Sequence, residues 1–244
     1  TLIQTSNPPQ YTVITLAAQD GSMASHGIFA LPLAEQVTPV IGKVPYLGNR
    51  QTLSLINSGA GIWAFPVPFL AESHYNFIYA PPPSGGFGRG LALYDGVIYV
   101  GGNNGMLYSL AAPDGSAEFQ QVLEAAVTQG AFAAGPVAVS TGSGGGAIVF
   151  SGQQGGSNSI WVYDLATTDL VQIDTDQLLV TQLIVDEHGV LYAAGNPGAD
   201  FGQVYAIRID AVLQQERDFV VDSELMQDFD EPASGQLTAT ARYQ

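Results

Sequence analysis

The stretch Gly96-Val-Ile-Tyr-Val-Gly-Gly-Asn-Asn-Gly-Met-Leu-Tyr-Ser-Leu-Ala-Ala-Pro-Asp-Gly-Ser116 holds two apolar runs separated by a polar, glycine-rich turn. Valine, isoleucine and tyrosine favour extended chain, and Asn-Asn-Gly between two such runs marks a hairpin. The second run, Met106-Leu-Tyr-Ser-Leu-Ala, recurs along the chain as Gly27-Ile-Phe-Ala-Leu-Pro, Gly61-Ile-Trp-Ala-Phe-Pro, Ser159-Ile-Trp-Val-Tyr-Asp and Gln203-Val-Tyr-Ala-Ile-Arg. Its aromatic positions are Phe29, Trp63, Tyr108, Trp161 and Tyr205, spaced by 34, 45, 53 and 44 residues. A recurrence of about 40–50 residues built from short strands is the sequence mark of a β-propeller.

The flanking strands repeat as well. Ahead of each aromatic strand lies an apolar one: Val13-Ile-Thr-Leu-Ala, Leu53-Ser-Leu-Ile-Asn, Val97-Ile-Tyr-Val-Gly, Ala147-Ile-Val-Phe-Ser and Val190-Leu-Tyr-Ala-Ala. These runs are apolar on both faces, as buried strands are. More polar outer strands are expected over 35–41, 74–80, 118–123, 169–174 and 217–222, and inner strands over 42–47, 90–94, 135–140 and 181–186. The first repeat has no inner strand before Tyr11, and Gly235–Tyr243 ends the chain as an inner strand with nothing after it. The sequence therefore predicts an all-β, single-domain, five-bladed propeller of four-stranded antiparallel blades over 11–244. Its ring would be closed by the C-terminal strand joining the N-terminal blade. Residues 1–10 are expected to be a tail or a docking arm. A β-sandwich is the competing architecture. Helical periodicity is nearly absent, and 116–128 reads as strand plus loop.

Charge excludes several functions. Six basic residues face 22 acidic ones, a formal net charge of −16. Nucleic-acid binding requires cationic surface, and anionic membranes repel such a chain. The absence of cysteine excludes disulfides, thiolate metal sites and cysteine nucleophiles. The chain begins at Thr1, which leads us to expect an extracellular or periplasmic protein released from a signal peptide.

The 96–116 stretch resembles the repeat of PQQ-like (quinoprotein-type) propellers. In that repeat a G-V-V-Y-V-G strand precedes a polar turn, a G-x-L-Y-A-L strand and an Asp-containing turn. Gly189-Val-Leu-Tyr-Ala-Ala-Gly and Gln203-Val-Tyr-Ala-Ile-Arg-Ile-Asp are similar to it. The resemblance implies the propeller fold. It does not carry over quinone chemistry, because the cofactor-dependent members are larger and place the quinone beside a vicinal disulfide and calcium. PQQ is therefore not expected.

Propellers bind at the face bearing the loops between second and third strands and the loops between blades. On those loops the sequence nominates Asp20, His26, Phe87, Arg89, Asn103, Asn104, Phe132, Gln153, Asn158, Asp200 and Phe201 as ligand-binding. Aromatic faces flanked by amides and carboxylates suit a glycan, and adaptable hydrogen-bonding groups equally suit a protein partner. The same residues are those that tight turns demand. Trp63 and Trp161 occupy a position shared by every repeat, which assigns them to packing between blades. The acidic run 218–231 could hold calcium through oxygen ligands but lacks EF-hand spacing. No catalytic constellation stands out. The expected function is a non-catalytic binding or assembly module. A glycoside hydrolase using Asp20, Asp95, Asp186 or Asp230, and a structural subunit of a filament or envelope complex, are the alternatives.

Overall fold

The computed structural model describes residues 2–4, 11–16, 23–29, 39–58, 61–67, 76–79, 86–88, 90–112, 118–141, 144–154, 157–175, 179–195 and 203–214. They fall into two compact units, Thr1–Ala126 and Val127–Gln244.

The first unit holds three antiparallel sheets. Strands β1 (Leu2–Gln4), β2 (Tyr11–Leu16) and β3 (Met23–Phe29) pair in that order. Strands β4 (Val40–Tyr46), β5 (Asn49–Asn57), β6 (Ile62–Pro66) and β7 (Asn76–Tyr79) form a four-stranded meander. So do β8 (Ala92–Tyr94), β9 (Val97–Gly101), β10 (Met106–Ala111) and β11 (Gln120–Ala126). The second unit repeats the design with β12 (Ala134–Ser140), β13 (Gly146–Gln154), β14 (Ser157–Asp164) and β15 (Leu170–Asp174). A three-stranded sheet follows, with β16 (Val180–Val185), β17 (Val190–Gly195) and β18 (Gln203–Arg208), then the short helix α1 (Ile209–Gln214).

The four-stranded meander is the blade expected from the repeat, but the blade count differs. Four sheets have described cores and stand as blades, one fewer than the five expected, and the last of them has three described strands. The sheet β1–β3 also has three strands and is not shown to be a fifth blade. Leu2–Gln4, placed by the sequence in a tail or arm, pairs with β2, Leu2 opposite Val13 and Gln4 opposite Tyr11. It lies on a β2 edge, the kind of position proposed for the C-terminal strand. Residues 235–243 lie outside the described residues, as does the expected outer strand 217–222. The helix α1 was not anticipated. Ile209, Val212 and Leu213 give it an apolar side at helical spacing, and that side joins the core of the second unit.

Each unit's core is a seam between successive sheets. In the first, Leu53, Leu55, Ile62 and Ala64 face Ile98, Val100, Tyr108 and Leu110. In the second, Ala147, Val149, Ile160 and Val162 face Leu191, Ala193, Tyr205 and Ile207. Tyr108 and Tyr205 thus fill the packing role that their repeat position implied. Each such side chain, removed from water, contributes about 1.5–3 kcal/mol. The first strands also lie side by side, β4 against β8 and β12 against β16, as the inner strands of adjacent blades do.

Candidate functional site

Antiparallel pairing fixes which loops share an end of a sheet. Turns between second and third strands lie at the end where the chain enters the next first strand. Turns between first and second strands lie at the other end. Among the described residues, the loop end of the first unit is therefore built from 57–58, 61, 86–88, 90–91 and 101–106, and that of the second from 127–133, 151–154, 157–158, 175 and 179–180.

At the loop end of the first unit, the segment 86–90 is tied on both sides. Buried Asn57 donates through Nδ2 to the carbonyls of Gly88 (2.7 Å) and Gly90 (2.9 Å). Gly88 N–H donates to Gly101 O (2.7 Å), Asn103 N–H donates to Gly86 O (3.0 Å), and Phe87 bridges to Gly102. The second unit uses Ser151. Its hydroxyl donates to Val180 O (2.6 Å), at the start of the next sheet, and accepts from Ala134 N–H (2.9 Å). Asn57 ends β5 and Ser151 holds the same repeat position within β13, and both reach forward to the chain entering the next sheet. Their buried polar groups stitch successive sheets together. The sequence signal was present, since Asn57 and Ser151 are the polar residues that follow an apolar run, but they read as turn residues.

One residue further along the repeat come Gly102 and Gly152. A Cβ on Gly152 would meet Thr128 Cγ2 at 2.6 Å, and one on Gly102 would meet the Asn104 side chain and Tyr108 Cε2. Next come Asn103 and Gln153, both exposed. Asn103 is anchored through its own N–H, and Gln153 through its carbonyl, which accepts from Gln129 N–H (2.8 Å). The same position in the last sheet is Asn196, outside the described residues; the repeat register could have nominated it.

The remaining nominated residues divide. Phe87 is buried at 3% exposure, its ring 6.0 Å from Tyr79 and 6.1 Å from Tyr108. Phe132 is buried at 4% and stacks on Phe150 with centroids 4.5 Å apart. Both rings are buried among the core residues, whereas the sequence expected them to be presented on the ligand face. Their glycine- and alanine-rich surroundings disguised the anchoring of the loops into the sheets. Asn104 is exposed, but its Oδ1 accepts from Met106 N–H (3.2 Å) and its Nδ2 donates to Tyr108 OH (2.9 Å), so it shapes the turn. Asn158 is half-buried opposite Gln153, and its carbonyl accepts from Thr175 Oγ1 (3.1 Å). His26 lies on β3 opposite Ile14. Asp20, Arg89, Asp200 and Phe201 lie outside the described residues. The geometry thus brings Asn103 and Asn104 to one loop end, and Gln153 and Asn158 to another.

Two of the candidate acids sit at the other end of their sheets. Asp95, with φ of 43°, occupies the β8–β9 turn and pairs with Arg50 (2.9 Å). Asp186 occupies the β16–β17 turn, where Oδ1 accepts from the N–H groups of Val190 and His188, both at 2.9 Å, and Oδ2 accepts from Tyr192 OH at 3.3 Å. The Val190 bond foremost, with that from His188, holds the Asp186 carboxyl below the ordinary carboxylate range. Desolvation foremost, then Asp186, pushes the Tyr192 hydroxyl up. These carboxylates shape hairpins. Asp20, Asp230 and the acidic run 218–231 lie outside the described residues, among which no three His, Asp or Glu side chains gather in a metal-holding group.

No protein-family model matches the chain, that of PQQ-like repeats included, and no curated protein matches it. Solved structures do. The Dos1 propeller matches over 83% of this chain with a TM-score of 0.50 and 13% identity. A Bacteroides fragilis protein provisionally designated a 6-phosphogluconolactonase matches over 91% with a TM-score of 0.50 and 14% identity. The chain spans 57% and 64% of those two structures. Together with the repeated meanders, these likenesses establish an all-β propeller of antiparallel blades.

Proposed function

We propose that this propeller is a non-catalytic binding module that engages a protein partner through amide side chains repeated at its loop ends. The observation that carries the reading is the equivalence of Asn103 and Gln153. Both are exposed, both follow a glycine with no room for a side chain, and both are tethered by a backbone hydrogen bond to the segment leading into their own sheet. A side chain on a tethered turn loses little freedom on binding, and an amide offers the donor and acceptor that a peptide backbone can match. Burial of Phe87 and Phe132 withdraws two of the aromatic faces on which a sugar ring would stack, which favours a protein over a glycan. The turn-shaping roles of Asp95 and Asp186 favour binding over hydrolysis. A setting outside the cytoplasm is part of the proposal and rests on the net charge of −16. The reading calls for no cofactor.

Native mass spectrometry of the chain taken from its own source tests this. The expected result is a native particle heavier than the same protein measured denatured, the additional mass being lost in an Asn103→Ala/Gln153→Ala variant. A native mass equal to that of the denatured protein, or equal retention of the partner by the variant, would refute it.

A further inference from the structure

The turn between β9 and β10 carries a reactive pair of residues. The chain has eight asparagines, and Asn104 alone is followed by glycine. An asparagine carboxamide can close on the backbone nitrogen of the next residue, and a glycine there, with no Cβ, leaves that nitrogen open to attack. Closure needs the carboxamide carbon held beside the nitrogen, a donor for the oxygen that gains charge, and a proton for the nitrogen that leaves.

The hydrogen bonds of this turn meet each need. Asn104 Oδ1 accepts from Met106 N–H (3.2 Å), and the ring closed by that bond contains both Asn104 Cγ and the Gly105 nitrogen. The same N–H serves as an oxyanion donor, because negative charge gathers on Oδ1 as Cγ becomes tetrahedral. Tyr108 OH lies 2.9 Å from Asn104 Nδ2. It accepts from the planar amide, but once that nitrogen turns into an amine the phenol can give it a proton. The Tyr108 ring is buried edge-on to Phe87, which fixes the hydroxyl in place. Gly105 N–H donates to Gly102 O (3.2 Å), which polarises the proton that the attacking nitrogen must lose. Asn104 itself is exposed, so water reaches the turn.

We propose that the Asn104–Gly105 turn modifies itself by deamidation. The Gly105 nitrogen loses its proton to solvent and bonds to Asn104 Cγ. The Cγ–Nδ2 bond breaks, and Nδ2 leaves as ammonia with a proton from Tyr108, which the phenol regains from water. A five-membered succinimide results, and water opens it at either carbonyl to give aspartate or isoaspartate. The net change is one water consumed and one ammonia released. Isoaspartate routes the main chain through Cβ and so lengthens a turn in which Gly102 N–H reaches Met106 O (2.8 Å) and Asn103 N–H reaches Gly86 O (3.0 Å). Conversion therefore dismantles the turn that presents Asn103. That consequence rests on the binding role given to Asn103 above, whereas the chemistry of the turn does not.

The full chain is held in mildly alkaline buffer, folded or unfolded in guanidinium chloride. Peptide mass spectrometry follows the exchange of NH2 for OH at every asparagine, and an isoaspartyl methyltransferase marks the isoaspartate. Asn104 should convert faster than the other seven asparagines, and faster in the folded chain than in the unfolded one. Tyr108→Phe, which keeps the ring and removes the proton source, should slow conversion in the folded chain by about tenfold or more. If that variant fails to fold, the folded and unfolded parent still decide the matter. Conversion no faster in the folded chain than in denaturant, or an unchanged rate in folded Tyr108→Phe, would each overturn the proposal. A converted chain that still retains its partner would overturn the role of Asn103 and not the conversion.

Discussion

Replacing Ser151 with alanine deletes one hydroxyl and strands two backbone groups. The hydroxyl is buried, donates to Val180 O at 2.6 Å and accepts from Ala134 N–H at 2.9 Å, and both partner residues are buried too. A buried polar group left without its partner costs about 1–3 kcal/mol. The alanine gives back the desolvation of the hydroxyl itself, so the expected net loss is about 2–4 kcal/mol. The chain has two tryptophans, Trp63 in the first unit and Trp161 in the second. In a Trp63→Phe background, the fluorescence of buried Trp161 follows the unit that contains Ser151. With a urea slope of about 2 kcal/mol/M, the unfolding midpoint should fall by about 1–2 M. Ser140→Ala, an exposed serine at the end of β12, should stay within about 0.5 kcal/mol of the parent. The stitching role is refuted if Ser151→Ala also stays within that margin.

Gly152→Ala should lower stability by about 1–3 kcal/mol, because its methyl meets Thr128 Cγ2. Adding Thr128→Ser, which removes that methyl and keeps the hydroxyl bonded to Gly130 O, should recover most of the loss in a thermal melt. Leu47 holds φ of 50° at the tip of the β4–β5 hairpin, beside Gly48 at 76°. Asparagine tolerates that conformation better, so Leu47→Asn should stabilise by up to about 1 kcal/mol and raise the melting temperature by about 2–4 °C. Asp186 has its carboxyl held below the ordinary 3.8, so its hydrogen bonds stabilise the fold above that pH and are lost as pH falls below it. The unfolding midpoint of Asp186→Asn should therefore fall less steeply on acidification from about pH 5 to about pH 2 than that of the parent; parallel curves would dismiss this role for the carboxylate.

Much of the blade could be read from the sequence because its decisive signals are local. Val97–Gly101 and Met106–Ala111 announce themselves by β-branched and aromatic runs around Asn-Asn-Gly, and the aromatic at the third position of each repeat places Tyr108 and Tyr205 in the seams. What escaped the sequence depends on contacts distant along the chain. Asn57 looks like any turn asparagine until its amide is seen to reach carbonyls 31 and 33 residues ahead. Phe87 and Phe132 look exposed because small residues surround them, and only tertiary contact shows them anchoring loops into sheets. The α1 helix is one and a half turns long, too short for a periodicity search to separate from its flanks. At the candidate site, Asn103 and Gln153 were legible as polar loop residues. Their equivalence emerged once strand register aligned the repeats.

The bond from Ser151 to Val180 spans two sheets, and those from Asn57 to Gly88 and Gly90 tie one sheet to the chain entering the next. Such a bond survives only while both of its sheets are in place. Opening one sheet therefore exposes the amides of its neighbour as well. Hydrogen exchange at β13 and β16 should then report a single shared opening event, and a ligand that clamps either sheet would slow exchange in both.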